Sequence, residues 1–254
     1  MGFQKRKGRK NIWIKSKLTK DFVICCLALK GKDFCTGSSD GVIVFWTKPK
    51  KDKYIQKRSY KNHDGEIISM DANAKLDLII SSDRSSICLR HFSNYEFFTK
   101  IQCLRFFDII FVRLSLTGYI VCLSINNKLE NNQSILIYSI NGYLVKLFNI
   151  DYLISKSIFL YENGESFILS DKNECIHIFD ILLNHELKYS LRNFDQTLPI
   201  RYDTAIEKGI FGLSLYSDRS KEILIFGNAK GSVYCFSNIY QSEDLKDAVY
   251  SVFM

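Results

Sequence analysis

The feature that most constrains this chain is a repeat. Residues 20–40 lie over residues 63–83 without a gap. Lys20 falls on His63, Asp21 on Asp64, Val23-Ile24 on Glu66-Ile67, Leu27 on Met70 and Lys32 on Lys75. Ser38-Ser39-Asp40 falls on Ser81-Ser82-Asp83, an offset of 83 − 40 = 43 residues. That spacing lies within the roughly 40–45 residues of a four-stranded propeller blade. A blade cannot bury its apolar faces alone, so such a repeat implies stacked neighbours.

The local pattern within the repeat is β. Phe22 to Leu29 is a short apolar, β-branched run that ends at Lys30-Gly31-Lys32-Asp33. Phe34 to Gly37 is a second run, and Val42 to Trp46 a third. Asp40-Gly41 between them supplies a hairpin turn, because glycine tolerates positive φ without steric cost. The strand–turn–strand unit returns three more times. Tyr119–Ser124 leads through the polar turn 126–133 to Ile135–Ile140, and Phe167–Ser170 through 171–174 to Cys175–Phe179. Ile223–Phe226 leads through Gly227-Asn228-Ala229-Lys230-Gly231 to Ser232–Phe236. Third strands are therefore expected to end near 46, 90, 139, 179 and 236, with an inserted loop over 192–209. Helical periodicity is confined to 241–249, where Ser242 is the expected cap and Glu243 and Asp244 suit the first turn.

The expectation is an all-β chain: a partial propeller of about five to six blades or blade fragments, with a short C-terminal helix. A basic tail covers 1–10, the propeller 11–240 and a helical tail 241–254. Composition permits this. Hydrophobic residues make up 46% of the 254, enough for a core. Two prolines argue against long disordered linkers.

Three passages resemble the C-terminal WD-repeat propeller of BEACH-domain proteins, the neurobeachin and beige-like group. DFVICCLAL (21–29) is similar to that family's blade opening, KLDLIISSD (75–83) to its second strand and turn, and SILIYSINGYLVK (134–146) to its Ser-Ile-Asn-Gly strand. ILIFGNAKGSVYCF (223–236) fits its last strand pair, and the similarity spans about 10–240. The resemblance implies a non-catalytic protein-binding scaffold in vesicle trafficking, autophagy or lysosomal sorting. A cytoplasmic location, peripheral to endomembranes, goes with it. It also implies a BEACH domain upstream and roughly seven blades, so the chain reads as a fragment or partial ring, with 10–18 closing an incomplete blade.

WD-repeat blades often carry a buried His–Ser/Thr–Asp–Trp network. The first blade offers Thr36, Asp40 and Trp46, with Lys20 at the histidine position. The second offers His63 and Asp83, with Ile79 at the hydroxyl position and no tryptophan. These are read as scaffold residues.

Candidate contact residues come from charge. The formal net charge is +8, concentrated in Lys5, Arg6, Lys7, Arg9 and Lys10, and in 48–58 around Lys50, Lys51 and Lys53. Such clusters attract acidic proteins, anionic membrane or nucleic acid. Other proteins are the expected partners. The alternative is an RNA-associated WD-repeat protein of ribosome or RNP assembly, which the KRKGRK tail favours. That tail lacks the interleaved aromatics used to stack on bases. The eight cysteines form no C-x-x-C pair and read as reduced core residues. His177 lies in an apolar strand, and His185 beside Glu186 lacks a third ligand. No nucleophile, metal-ligand or phosphate-loop motif is present, so no catalysis, metal or cofactor is expected. No apolar run is long enough to span a bilayer.

Overall fold

A computed structural model describes residues 22–49, 53–128, 132–150, 154–160, 166–171, 175–181, 186–190, 210–217, 222–228, 233–237 and 251–253. They form five four-stranded antiparallel sheets, each taken consecutively from the chain. The first holds β1 (Val23–Ala28), β2 (Phe34–Ser38), β3 (Val42–Thr47) and β4 (Ile55–Lys61). The second holds β5 (Ser69–Asn73), β6 (Leu78–Ser82), β7 (Ser86–His91) and β8 (Phe97–Gln102). The third holds β9 (Phe107–Leu114), β10 (Tyr119–Asn126), β11 (Asn132–Ser139) and β12 (Leu144–Asn149). The fourth comprises β13 (Ile154–Leu160), β14 (Ser166–Asp171), β15 (Cys175–Asp180) and β16 (Glu186–Ser190). The fifth comprises β17 (Ile210–Ser217), β18 (Glu222–Asn228), β19 (Val233–Ser237) and β20 (Ser251–Phe253).

Each expected third strand is present, as β3, β7, β11, β15 and β19. The turn read at 126–133 is shorter than expected, because Asn126 already pairs with Asn132. The helix expected over 241–249, the inserted loop over 192–209 and the strand remnant 10–18 lie outside the described residues. Ser251–Phe253, assigned from sequence to the tail, is instead a strand that pairs with β19.

The sheets stack through their first strands: β1 lies against β5, β5 against β9, β9 against β13, and β13 against β17. Alternation along each strand sends odd and even side chains into different inter-sheet cores. Cys35, Ile43 and Phe45 of the first sheet meet Ile67, Met70, Ile79 and Tyr95. Leu78, Ile80, Ile87 and Leu89, facing the other way, meet Val112, Leu114, Ile120 and Cys122. Val121, Leu123, Ile135 and Ile137 then meet Phe167, Leu169 and Phe179.

Polar residues stitch one of these seams. Along β5, every second side chain reaches the next sheet. The Ser69 hydroxyl bonds the Val112 backbone, Asp71 accepts the Leu114 amide at 2.9 Å, and Asn73 donates to the Ser115 carbonyl at 2.9 Å. Burial raises the Asp71 carboxyl, opposed by the nearby Arg113 and the bond from Leu114.

Chain direction sets two rims. On one, called here the upper rim, turns between second and third strands meet connections from fourth strands to the next first strand. The Ile67 amide donates to Ser38 O at 3.1 Å, and the Cys103 amide to Ser85 O at 2.8 Å. The lower rim collects the remaining turns, where Asp77 accepts the Ser93 amide at 2.7 Å and Asp33 meets Lys57 at 3.5 Å.

Candidate functional site

The scaffold residues come first, because they set what the upper rim can present. In the second sheet His63 is fully buried between Asp83 and Ser81. Its Nδ1 lies 3.2 Å from Asp83 Oδ2 and its Nε2 2.8 Å from Ser81 Oγ. Burial lowers the His63 pKa, only partly opposed by Asp83, and Lys100 and Arg90 lower it further. Burial works to raise the Asp83 carboxyl. Bonds from the Ser85 amide, His63 and Ser86 nonetheless hold it below its usual value. The arrangement is a neutral imidazole that donates from Nδ1 to a carboxylate and accepts the Ser81 hydroxyl at Nε2. Asp83 also accepts the Ser85 and Ser86 amides at 2.8 and 2.6 Å, which fixes the turn.

The hydroxyl is therefore Ser81, not Ile79, which packs in the apolar core. Five residues, 38–42, separate the last ladder pair of β2 and β3, Gly37 with Ile43. Four residues, 83–86, separate Ser82 from Ile87. Asp40 stands three residues after Gly37 but Asp83 only one after Ser82, so an overlay anchored on the two aspartates lands two residues, one step on the same strand face, from the true partner. The missing tryptophan is replaced by Arg90 at the corresponding place in β7. Its guanidinium lies 3.9 Å over the Tyr60 ring of the first sheet, bonds Asn62, and donates to Tyr95 O at 3.0 Å.

In the first sheet the network is split. Trp46 Nε1 donates to Thr36 Oγ1 at 3.0 Å, and the Ser38 hydroxyl bonds the Asp40 carboxylate. Lys20 lies outside the described residues. Gly41 is at φ +79°. A Cβ there would stand 2.3 Å from His63 O and 2.8 Å from Gly65 O, so only glycine fits.

Of the charge-based candidates, Lys5, Arg6, Lys7, Arg9, Lys10, Lys50 and Lys51 lie outside the described residues. Lys53 is described and exposed. The neighbouring cations bind the protein itself. Lys57 pairs with Asp33 and lies over Tyr95, and Arg58 bonds Tyr60 and Asn94.

Sequence reasoning missed the loop that joins the second sheet to the third. Leu104, Arg105 and Phe106 are exposed at the upper rim. The loop is anchored from three sides. Cys103 N donates to Ser85 O at 2.8 Å, Leu104 N to the Tyr138 hydroxyl at 3.3 Å, and Asn127 N to Phe106 O at 2.8 Å. Phe107 N closes a turn onto Leu104 O at 3.1 Å. Phe106 takes φ +76° at its third position, where type II turns call for glycine. Lys128 Nζ lies 3.9 Å and Arg105 Cζ 5.0 Å from the ring centroid. The only sequence signal was an Arg-Phe-Phe run at 105–107, which reads equally as the start of a strand.

No catalytic geometry accompanies these features. Burial pushes the Cys25 and Cys88 thiols up to about 11, so both stay protonated at neutral pH. His177 is buried in β15 beside Phe179. Among the described residues no three His, Cys, Asp or Glu side chains gather as metal ligands, and no helix is long and apolar enough to cross a membrane.

Known structures supply the comparison. The crystal structure of the β-propeller domain of Cps50 (Swd1) from Myceliophteria thermophila matches 95% of this chain and 74% of that one. The TM-score is 0.64 and the sequence identity 12%. The fold is a WD-repeat β-propeller. At that identity the likeness concerns the blades and their order, and it does not single out the BEACH type among WD-repeat propellers. No family model and no curated protein matches the sequence. The five sheets are thus propeller blades, and the Leu104–Phe106 loop sits on the rim between the second and third.

Proposed function

We propose that the chain is a non-catalytic scaffold that binds other proteins through the upper rim of its propeller. The observation that supports this most is the loop 104–106. Hydrogen bonds to Ser85, Tyr138 and Asn127 hold it in place, yet it leaves Leu104, Arg105 and Phe106 exposed, with Lys128 of the β10–β11 turn exposed beside them. Rigid loops on a fixed scaffold are where binding residues concentrate. The acid and base that do meet among the described residues, Asp83 and His63, are buried with Ser81 inside the second blade, away from any substrate.

The BEACH resemblance of 21–29, 75–83 and 134–146 supplies a cellular setting: vesicle or membrane trafficking, autophagy or lysosomal sorting, in the cytoplasm at the surface of endomembranes. Peripheral contact of the basic clusters with anionic lipid fits that setting. Proximity labelling in cells tests it. Enrichment of endomembrane-trafficking proteins is expected, and enrichment of unrelated compartments alone would overturn it.

The net charge of +8 favours a second reading, an RNA-associated WD-repeat protein. It predicts RNA affinity that falls steeply with salt. No measurable RNA binding at low salt ends it.

A further inference from the structure

Three non-glycine residues among those described take positive φ: Asp77 at 55°, Tyr95 at 64° and Phe106 at 76°. Each carries backbone strain. Two of the three are explained by the fold. The Asp77 carboxylate accepts the Ser93 amide at 2.7 Å and its hydroxyl at 3.0 Å. The Tyr95 ring is buried and stacks on Phe45 at 4.1 Å, and its carbonyl takes Arg90. At Phe106 the turn accounts for the backbone but not for the side chain: the residue is 41% exposed and belongs to none of the described core clusters. Glycine would satisfy the turn better, so the aromatic ring is retained for something other than the fold.

The charge around that ring points to an occupant. Arg105 and Lys128 both lie over it, and among the described residues neither meets a carboxylate. Arg84 adjoins the same seam through its carbonyl, which accepts the Ile109 amide at 2.8 Å, and is satisfied by Glu66 at 3.6 Å. Leu104, at the first position of the same turn, is 38% exposed.

We propose that Leu104, Arg105, Phe106 and Lys128 form a docking site for an acidic peptide segment that carries an apolar side chain. This deepens the scaffold reading and rests on it. A carboxylate completes the coordination of the two cations. The apolar side chain covers Leu104 and the exposed part of Phe106. The anchored turn is preorganised, so little ordering cost opposes binding.

The test is a random peptide display library panned on the full chain, with binding of the selected peptides then measured on Phe106→Gly and Lys128→Glu. Selected peptides are expected to place Asp or Glu beside an apolar residue. Each variant is expected to weaken them by about tenfold or more. Unfolding of Phe106→Gly in denaturant checks that the fold survives, and Lys128→Glu provides a second reading that leaves the turn untouched. Failure to select any peptide, selection without acidic residues, or binding indifferent to both variants overturns the site. So does Phe106-dependent binding of oligouridylate or of phosphatidylserine vesicles in place of peptides. If the peptide measurements fail while proximity labelling still reports trafficking proteins, the site is wrong and the scaffold reading stands.

Discussion

Gly41 and Phe106 both take positive φ, at +79° and +76°, and both sit on the upper rim. Gly41 lies in the turn between β2 and β3, pressed against the His63 and Gly65 carbonyls. There the fold dictates the residue. Phe106 lies in the turn before β9, 41% exposed beneath Arg105 and Lys128, where the fold would accept glycine at lower strain. The difference separates architecture from function: a left-handed glycine with no room for a Cβ explains itself, and a left-handed exposed phenylalanine does not.

Substitutions can break or sharpen this contrast. The largest effect is expected at Gly41→Ala, which combines strain at positive φ with collision against backbone. A loss of about 3 kcal/mol in denaturant unfolding follows. A near-neutral result would mean that the turn and the His63 connection are not in contact.

Next is His63→Leu, which leaves Asp83 and Ser81 buried without their shared partner and should cost about 2 kcal/mol. Thr36→Val in the first blade removes only the acceptor of Trp46 Nε1, with a loss of about 1 kcal/mol. Equal losses would contradict the view that the second blade holds a connected network and the first a divided one.

The same pair differs in pH response. The folded-state pKa of His63 lies below 6.5, so the unfolded chain binds its proton first on acidification. The stability His63 contributes is present above about pH 6.5 and is lost as pH falls from there toward the folded-state value. Asp83, also lowered, adds a loss of the same sign below about pH 3.8. Unfolding measured across this range should show a loss below about pH 6.5 that His63→Leu removes and Thr36→Val retains.

How much of this was legible in sequence follows from what each feature depends on. Blade positions were readable because Asp40 and Asp83 repeat at 43 residues and flank apolar, β-branched strands. Asp40-Gly41 announced its turn through residue chemistry alone. Ser81 was misassigned because the aspartate follows the end of the strand by three residues in the first turn and by one in the second, which a gapless overlay cannot register. The place of Arg90 depends on packing between blades, where Tyr60 and Asn62 receive it. Phe106 was invisible because its φ is imposed by hydrogen bonds from Asn127 and the Leu104–Phe107 turn, and an Arg-Phe-Phe run carries no mark of that. The basic residues chosen from sequence stood out by charge, whereas the candidate cations stand out by sharing one exposed ring.

The most direct measurement is therefore on Phe106→Gly, with unfolding free energy and binding of the selected acidic peptides read on one preparation. The smallest stability change of the series is predicted, within about 0.5 kcal/mol of the parent or in its favour, because relieved strain offsets the added freedom of glycine. Peptide affinity is predicted to fall about tenfold or more. A loss of stability approaching that of Gly41→Ala, or unchanged peptide affinity, would place Phe106 in the scaffold and contradict the account.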